Sequence, residues 1–315
     1  MEKEVIAAVF PGQGSQRPGM GKDFYDEIAV CRRTYEEASD AAGWDVAAMC
    51  FDEDERLNLT EYTQPCILTT EIAMLRGLSA ICGFTPSIYG GHSLGEFTAL
   101  VASGALPLAE AVVIVQNRGR LMQEATPVGM GGMAAVISDG LDVNVMRKAI
   151  EDLPLDIANI NSANQIVISG ASDALPEAEA RIMEALPEGK GGRFIRLNVS
   201  APFHSRFMRV IEGPFAATLR ERGRGLDAQK AVCVTSNYLG TFHTGDTEDM
   251  IGALTSQLGH TVRWSDNMAV IAGASNRIYE IGPGRPLKDF FKSMGVECES
   301  VISLTKAKRM FGEKH

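Results

Sequence analysis

Ser93 stands between two glycines in the segment GHSLGE (residues 91–96), where an apolar run typical of a strand gives way to one typical of a helix. The pattern G-x-S-x-G predicts a nucleophile elbow, a sharp strand-to-helix turn that lifts a serine hydroxyl clear of a sheet. The alternative is that Ser93 merely caps the following helix. The flanking glycines favour the elbow, because only residues without bulk fit beside such a turn. We therefore expect Ser93 to be a nucleophile that forms a covalent intermediate.

A helix that begins directly after the serine would also serve acyl transfer. Its free backbone N–H groups, notably that of Leu94, can stabilise an oxyanion. We expect the second donor to be the backbone of Gln13, in the glycine-rich loop FPGQGSQ (residues 10–16) after the first predicted strand. Nucleotide binding by this loop is disfavoured. Arg17 replaces the third glycine of a dinucleotide-binding fingerprint, and Gln16 replaces the first glycine of a Walker loop.

The serine needs a base, and the chain contains five histidines. We favour His204, because it follows a predicted strand and comes after the serine, as in α/β hydrolases. His260 is the alternative. His92 adjoins the nucleophile and should point away from it, and His243 lies in a polar loop. No acidic residue stands out as a third member, so we expect a backbone carbonyl to orient His204.

The elements that must position these groups follow an alternating pattern. In the first 120 residues, short apolar runs that lead into glycine-bearing turns alternate with helical patterns, which predicts a parallel sheet covered on both faces. A glycine-rich stretch then reads as a linker, and the order βαββαβ follows it, which is the ferredoxin-like arrangement. Two further strands are expected later in the chain. The strands of this sheet are predicted at residues 5–10, 87–90, 231–237 and 276–284. The linker is predicted at residues 126–133.

This order predicts an α/β fold built from two domains. A large α/β catalytic domain, formed by residues 1–128 and 199–315, is interrupted by a small ferredoxin-like domain, residues 129–198. A cleft between the two domains is the natural place for a site.

The composition excludes several classes of function. The chain has 315 residues, 45% of them hydrophobic, and a formal net charge of -10, which disfavours general binding of nucleic acids. Its six cysteines include no C-x-x-C pair, so we expect reduced thiols and no metal site. We see no signal peptide and no run of about 18 apolar residues, and we therefore expect a cytoplasmic protein that does not bind membranes.

Several motifs occur in order along nearly the whole chain: FPGQGSQ, TQP (residues 63–65), GHSLGE, QNRGRLMQEA, APFHS and EIGPG. Together they resemble malonyl-CoA:acyl carrier protein transacylases. The resemblance implies an acyltransferase with a hydrolase-like large domain and a ferredoxin-like small domain. It also implies malonyl-CoA and an acyl carrier protein as partners, with the carrier's phosphopantetheine thiol as acceptor. No cofactor of the enzyme's own is implied, and we expect a monomer.

The resemblance implies the roles given above for the serine, the histidine and the two backbone amides, and it adds three residues. Arg118 would hold the free carboxylate of the malonyl group, since a guanidinium pairs bidentately with a carboxylate. The main-chain carbonyl of Gln257 would orient His204. Phe203 would crowd an α-methyl branch and so favour malonyl over methylmalonyl.

One departure from the family and one surface prediction remain. Where many relatives have Asn-Pro, this chain has His260 and Thr261, which places a second histidine near the site. Carrier proteins of this type are acidic, so an acidic enzyme should dock them through a local basic surface. The candidates on the small and large domains are Lys190, Arg193, Arg196, Arg206, Arg285 and Lys288.

Other functions stay open at this point. A discrete malonyltransferase of polyketide synthesis would have the same pattern as one of fatty-acid synthesis. A thioester hydrolase shares the elbow and the base but passes the acyl group to water, and a general hydrolase has no use for a buried cation at position 118. A nucleotide-dependent scaffold with an unreactive serine is the alternative outside enzymes.

Overall fold

The computed structural model describes residues 4–186, 191–199 and 201–312. The strands are Ile6–Phe10 (β1), Ile88–Gly91 (β2), Gly131–Ile137 (β3), Leu155–Ser162 (β4), Gln165–Ala171 (β5), Arg193–Arg196 (β6), Thr235–Ser236 (β7), Thr241–Phe242 (β8), Arg277–Ile281 (β9) and Glu299–Val301 (β10). The helices are Lys22–Glu27 (α1), Ala29–Ala42 (α2), Val46–Phe51 (α3), Thr60–Cys82 (α4), Leu94–Ala102 (α5), Leu108–Glu124 (α6), Val143–Ala149 (α7), Leu175–Ala185 (α8), Glu212–Arg222 (α9), Thr247–Ser256 (α10), Trp264–Ala274 (α11), Pro286–Ser293 (α12) and Leu304–Phe311 (α13).

The central sheet is parallel, with strand order β10-β9-β1-β2. Its middle strand β1 reads IAAVF and is buried from its second residue onward, as expected for a parallel strand covered on both faces. Ala7 pairs with Ile88 on one side and with Ile278 on the other. The predicted strands at residues 5–10, 87–90 and 276–284 are confirmed, and the carboxyl ends of β1 and β2 bring the glycine-rich loop and the GHSLGE turn to the same edge.

Helix α4 forms the centre of the layer beside this sheet. It is the one helix among the described residues with the length and apolar composition of a membrane span, a stretch that the sequence analysis did not single out. However, 72% of its most apolar window is buried within the protein. Its packing against α2, α5 and α6 therefore identifies it as a core helix, and it contributes Gln64 of the TQP motif to the interior.

A second sheet has strand order β4-β5-β3-β6, and every neighbouring pair is antiparallel. Its elements follow in the predicted order βαββαβ. Apolar side chains of one sheet face pack with α7 and α8 into a hydrophobic cluster of their own, which includes Val136, Ile166, Ile168 and Ile182. The other face contributes Met133, Ala135 and Val167 to the main core. This second face is therefore the one that turns toward the central sheet.

Two sequence predictions are wrong in detail. The stretch predicted as a strand at residues 231–237 begins inside a 3₁₀ helix, Ala228–Cys233, and continues as the two-residue strand β7. Ala231 and Val234 are both fully buried while Val232 is 47% exposed, and this spacing of three residues matches a 3₁₀ turn rather than a strand. Val234 still forms one parallel bridge with Tyr89 at the edge of the central sheet.

The supposed linker at residues 126–133 ends within strand β3. A Cβ on Gly131 would lie 2.1 Å from the Pro202 side chain, and one on Gly132 would lie 2.9 Å from Leu175. These glycines therefore allow neighbouring segments to approach a strand closely, and they do not mark a flexible connection.

Candidate active site

Ser93 occupies the turn between β2 and α5, as the elbow prediction requires. Its φ is 54° and its ψ is -101°, and its side chain makes no capping hydrogen bond to the helix. The capping alternative is therefore excluded. A Cβ on Gly91 would lie 2.0 Å from the backbone of Gly95, and one on Gly95 would lie 2.2 Å from the carbonyl oxygen of Phe10. Both glycines are thus needed because the turn brings backbone segments into contact.

The predicted serine and histidine meet at this turn. Ser93 Oγ lies 2.8 Å from His204 Nε2, and His204 Nδ1 lies 2.8 Å from the carbonyl oxygen of Gln257. Because a carbonyl oxygen only accepts, Nδ1 carries the proton and Nε2 of the neutral ring accepts the Ser93 hydroxyl proton. His204 also has a positive φ, 56°. The described residues place no carboxylate on the His204 ring, and the main-chain carbonyl holds it as predicted.

The surroundings of His204 disfavour its charged form. The side chain is buried, and the cation of Arg118 is close, and together these lower its pKa to about 3. The ring is therefore neutral at pH 7 and is free to accept a proton. Substrate charge that offsets the Arg118 cation would make His204 more basic.

Arg118 projects from α6 into the same space and is 1% exposed. Its Nη1 donates to Gln64 Oε1 at 2.9 Å, and its Nη2 donates to Gln257 Oε1 at 2.7 Å and to Ser93 Oγ at 3.1 Å. The guanidinium also lies over the Phe97 ring, 5.4 Å from its centroid. Burial lowers the pKa of Arg118 to about 10, so it remains a cation at pH 7. A buried cation whose hydrogen-bond partners are two neutral amides and a hydroxyl is suited to bind an anionic group.

The two predicted oxyanion donors lie on the same cavity as Ser93. Leu94 is the first residue of α5, so its N–H has no partner within the helix. The Gln13 loop is held against the elbow, because a Cβ on Gly12 would lie 2.4 Å from the carbonyl oxygen of His92. The Gln13 side chain donates to Thr60 Oγ1 at 3.3 Å, which fixes this residue at the edge of the cavity.

A cavity of about 780 Å³ opens in front of Ser93. One wall is the elbow, the Gln13 loop and Arg118, and the opposite wall is the helix-free face of the second sheet. Phe203, 7% exposed, lies on this cavity beside His204. The side chains contributed by the second sheet and the segment after it are Met133, Ala135, Ile137, Asn159, Asn161, Gln165, Val167, Ile195, Leu197, Asn198 and Val199.

A buried polar cluster beneath the elbow was missed by the sequence analysis. Glu96 Oε2 accepts from the Asn237 N–H at 2.9 Å and from Gln257 Nε2 at 2.6 Å, and Glu96 Oε1 lies 3.0 Å from His243 Nε2. His243 is therefore a buried partner of Glu96, although the sequence placed it in a polar loop. One signal was available: Glu96 is the only charged residue in the mostly apolar stretch of residues 94–106, and a glutamate within a buried helix requires polar partners.

The other two histidines near the site do not contact Ser93. His92 Nε2 lies 2.8 Å from Asn161 Oδ1, so its ring points away from the nucleophile, as predicted. His260 lies outside the main cavity, on a smaller one of about 320 Å³, and its Nδ1 lies 2.9 Å from the carbonyl oxygen of Ser256. Thr261 Oγ1 donates to the carbonyl oxygen of Ile157 at 2.6 Å. Thr261 thus joins this loop to β4, whereas His260 contacts the end of α10.

Comparison with known proteins agrees with this geometry. A sequence profile of the acyl transferase domain matches residues 8–239. The chain is 36% identical over 304 residues to the malonyl CoA-acyl carrier protein transacylase of Bacillus subtilis (strain 168), which covers 94% of this chain and 92% of the relative.

Solved structures of such enzymes share the fold. The crystal structure of malonyl CoA-acyl carrier protein transacylase from Clostridium perfringens matches with a TM-score of 0.87 at 34% identity, covering 97% of this chain and 95% of that one. A malonyl-transacylase in complex with a type II PKS acyl-carrier protein matches with a TM-score of 0.87 at 32% identity, covering 98% of this chain and 99% of that one. The chain therefore belongs to the acyl transferase family, among the malonyl CoA-acyl carrier protein transacylases.

Proposed function

We propose that this enzyme transfers the malonyl group of malonyl-CoA to the phosphopantetheine thiol of an acyl carrier protein of fatty-acid synthesis, through a malonyl ester of Ser93. The observation that carries the proposal is the position of Ser93 Oγ, 2.8 Å from His204 Nε2 and 3.1 Å from Arg118 Nη2. A neutral base and a buried cation thus both contact the hydroxyl oxygen of the nucleophile. This arrangement suits an acyl group that carries its own negative charge.

In the first half-reaction, Ser93 Oγ attacks the thioester carbonyl carbon while His204 Nε2 takes the hydroxyl proton. The N–H groups of Gln13 and Leu94 stabilise the negative charge on the carbonyl oxygen. The carbon–sulfur bond then breaks, and the proton passes from His204 to the sulfur of coenzyme A.

In the second half-reaction, the carrier thiol gives its proton to His204, and its sulfur attacks the malonyl ester. The bond to Ser93 Oγ breaks, and His204 returns the proton to that oxygen. Gln257 holds the ring of His204 in one tautomer through both steps, and each step uses only groups of this chain and its two substrates. We propose no cofactor for the enzyme itself.

Arg118 and Phe203 set the choice of acyl group in this proposal. The Arg118 guanidinium pairs with the malonyl carboxylate, which replaces contacts to neutral amides by a charge-assisted pair. Phe203 lies on the cavity beside His204 and would crowd an α-methyl branch. Malonyl is therefore preferred to both acetyl and methylmalonyl.

We further propose the domain division inferred from the sequence: a hydrolase-like domain of residues 1–128 and 199–315 and a ferredoxin-like domain of residues 129–198. The antiparallel order β4-β5-β3-β6 and the separate apolar cluster of the second sheet support this division. We also propose a monomer in the cytoplasm that contacts no membrane, and the acidic net charge of -10 disfavours nucleic acid as a partner.

The carrier is proposed to dock on two basic rims of the cavity. On β6, Arg193 and Arg196 are both exposed; Arg193 shares the sheet face of Ile195, which lines the cavity, and Arg196 lies beside Ile195 on the other face. On the opposite side, Arg285 and Lys288 flank Pro286 and Leu287, which also line it.

The other two docking candidates are not assigned to these rims, and for Lys190 the prediction stays untested. Arg206 makes an ion pair with Asp156 at 2.7 Å that joins it to β4. Lys190 lies outside the described residues. Charge reversal at Arg193 and Arg196 should weaken transfer to the carrier while leaving formation of the malonyl-enzyme unchanged, and equal transfer rates would refute this docking surface.

The function is tested by incubating the enzyme with a panel of acyl-CoAs and measuring the mass of the intact protein. Wild type should gain a malonyl group, and Ser93→Ala should gain none; an adduct on the variant would refute the assignment of the nucleophile. Adding carriers of fatty-acid and of polyketide synthesis, or water alone, then separates the two transferases from a thioester hydrolase. Release of free malonate at the same rate with and without carrier would refute transfer.

A further inference from the structure

Asn237 lies directly after β7, beneath the elbow, and has no assigned role in the reaction proposed above. It is fully buried and does not line the cavity. Its Oδ1 accepts from the Ser93 N–H at 2.6 Å, and its Nδ2 donates to the carbonyl oxygen of Gly91 at 2.7 Å. One side-chain amide thus binds the backbone on both sides of the turn.

This pairing resembles the pairing of one peptide group with another in a sheet, because the amide presents a donor and an acceptor side by side. It fixes the separation of the Gly91 carbonyl and the Ser93 N–H, which are the two ends of the sharp bend. Ser93 has a φ of 54°, a backbone conformation that persists only where surrounding contacts determine it. The clamp therefore acts where the turn is most strained.

Asn237 is itself held in one orientation. Its backbone N–H donates to Glu96 Oε2 at 2.9 Å, and its Nδ2 also donates to Asn267 Oδ1 at 3.1 Å. Asn267 Nδ2 donates to the carbonyl oxygen of Ser236 at 2.9 Å, so the Asn267 oxygen must face Asn237. This chain of contacts directs the Asn237 oxygen to the N–H of Ser93.

We propose that Asn237 is a positioning residue, whose side-chain amide clamps Gly91 and Ser93 and so holds the Ser93 hydroxyl in line with His204. The inference rests on the proposed function only in taking Ser93 as the nucleophile. Loss of the clamp leaves the Gly91 carbonyl and the Ser93 N–H unpaired in the interior, and the turn relaxes to restore hydrogen bonds. A displacement of about 1 Å at a reacting atom lowers the rate on the order of 100-fold.

The test compares Asn237→Leu and Asn237→Asp with wild type. Leucine has a similar size but removes both hydrogen bonds, whereas aspartate keeps an acceptor for the Ser93 N–H and loses the donor to Gly91. Thr235→Val is the matched control. Thr235 is also fully buried, two residues away, and its hydroxyl has no partner among the described residues.

Four quantities are measured for each variant: the rate of Ser93 labelling by a fluorophosphonate, the kcat, the KM for malonyl-CoA, and the melting temperature. Asn237→Leu should lower both the labelling rate and kcat on the order of 100-fold, with KM unchanged because Asn237 does not touch the cavity. Asn237→Asp should recover part of the rate, and Thr235→Val should match wild type.

Labelling of Asn237→Leu at the wild-type rate would overturn the proposal. So would a lower final extent of labelling at an unchanged rate, because that result indicates a smaller folded fraction instead of a displaced serine. The labelling readout does not require malonyl-CoA. If wild type labels readily but transfers no malonyl group, the proposed function fails and the clamp is still tested.

Discussion

Arg118→Ala removes a buried guanidinium whose Nη2 lies 3.1 Å from Ser93 Oγ. In the proposed reaction this group donates two hydrogen bonds to the malonyl carboxylate. A hydrogen bond to a charged group contributes about 1.5–3 kcal/mol, so losing both should raise the barrier to malonyl loading by about 3–6 kcal/mol. The corresponding fall in rate is about 10²- to 10⁴-fold.

Acetyl-CoA has no carboxylate, so acetyl loading loses no such pair. The Arg118 cation is also one of the causes that lower the pKa of His204, and its removal makes the base stronger. Acetyl loading is then affected only through the positions of Gln64 and Gln257, because the side-chain oxygen of each loses the hydrogen bond that Arg118 donates. We expect acetyl loading to change by less than about tenfold, which corresponds to about 1.4 kcal/mol.

The assay is single-turnover loading with each acyl-CoA, followed by the mass of the intact acyl-enzyme. Arg120→Ala is the control, because Arg120 lies on the same helix, has a side chain that is 42% exposed and pairs with Glu124 at 2.8 Å. It should leave both rates unchanged. Losses of equal size for malonyl and acetyl in Arg118→Ala would show that Arg118 does not hold the carboxylate.

Three further predictions concern pH and backbone packing. The acid limb of the pH profile of kcat/KM should lie well below pH 6.5, because the pKa of His204 is about 3. The limb should move to higher pH in Arg118→Ala, because the Arg118 charge lowers that pKa. An unmoved limb would contradict the coupling of the two groups. Gly95→Ala should lower the free energy of unfolding in urea by about 2 kcal/mol, because its Cβ would lie 2.2 Å from the Phe10 carbonyl oxygen. Gly252→Ala is the control and should not lower it, because a Cβ there meets open space on α10. Equal stabilities of the two variants would refute the close contact. Burial, and to a smaller extent the charge of Glu280, raise the pKa of Glu71. The folded protein therefore keeps a proton that the unfolded chain releases above about pH 4.5. Stability is lost as the pH rises from there through the raised pKa of the folded carboxyl. Glu71→Gln should remove this loss, and a variant whose urea midpoint falls between pH 5 and pH 8 as steeply as that of wild type would contradict it.

The reacting pair was predictable because its signals are local. GHSLGE contains the nucleophile, both glycines and the helix start within a few residues, and the strand and helix around it have clear apolar periods. His204 could be chosen by elimination and chain order. Arg118 and Gln257 could not be reached that way, because an arginine or a glutamine on a helix has no local pattern that reveals its partner, and only the family resemblance indicated them.

Asn237, Glu96 and His243 show where sequence reasoning ends. Asn237 binds Ser93 across 144 residues, and His243 binds Glu96 across 147, so no spacing rule connects them. Their roles depend on which segments the central sheet brings under the elbow. The stretch at residues 231–237 illustrates the same limit, because its apolar run was predicted as a strand although tertiary packing buries it with the spacing of a 3₁₀ turn.

Backbone strain in this protein coincides with the reacting pair. Among the described residues, Ser93 and His204 are the only non-glycine residues with a positive φ, and each such conformation costs on the order of 1–3 kcal/mol unless contacts hold it. The two residues are 111 positions apart, and the groups that hold them, Asn237 and Gln257, come from later segments still. No local unit of the chain contains both the strain and its support. Reactive geometry therefore requires the segments that carry Ser93, His204, Asn237 and Gln257 to be folded together, and Ser93 labelling during urea unfolding should be lost together with the global transition and not before it.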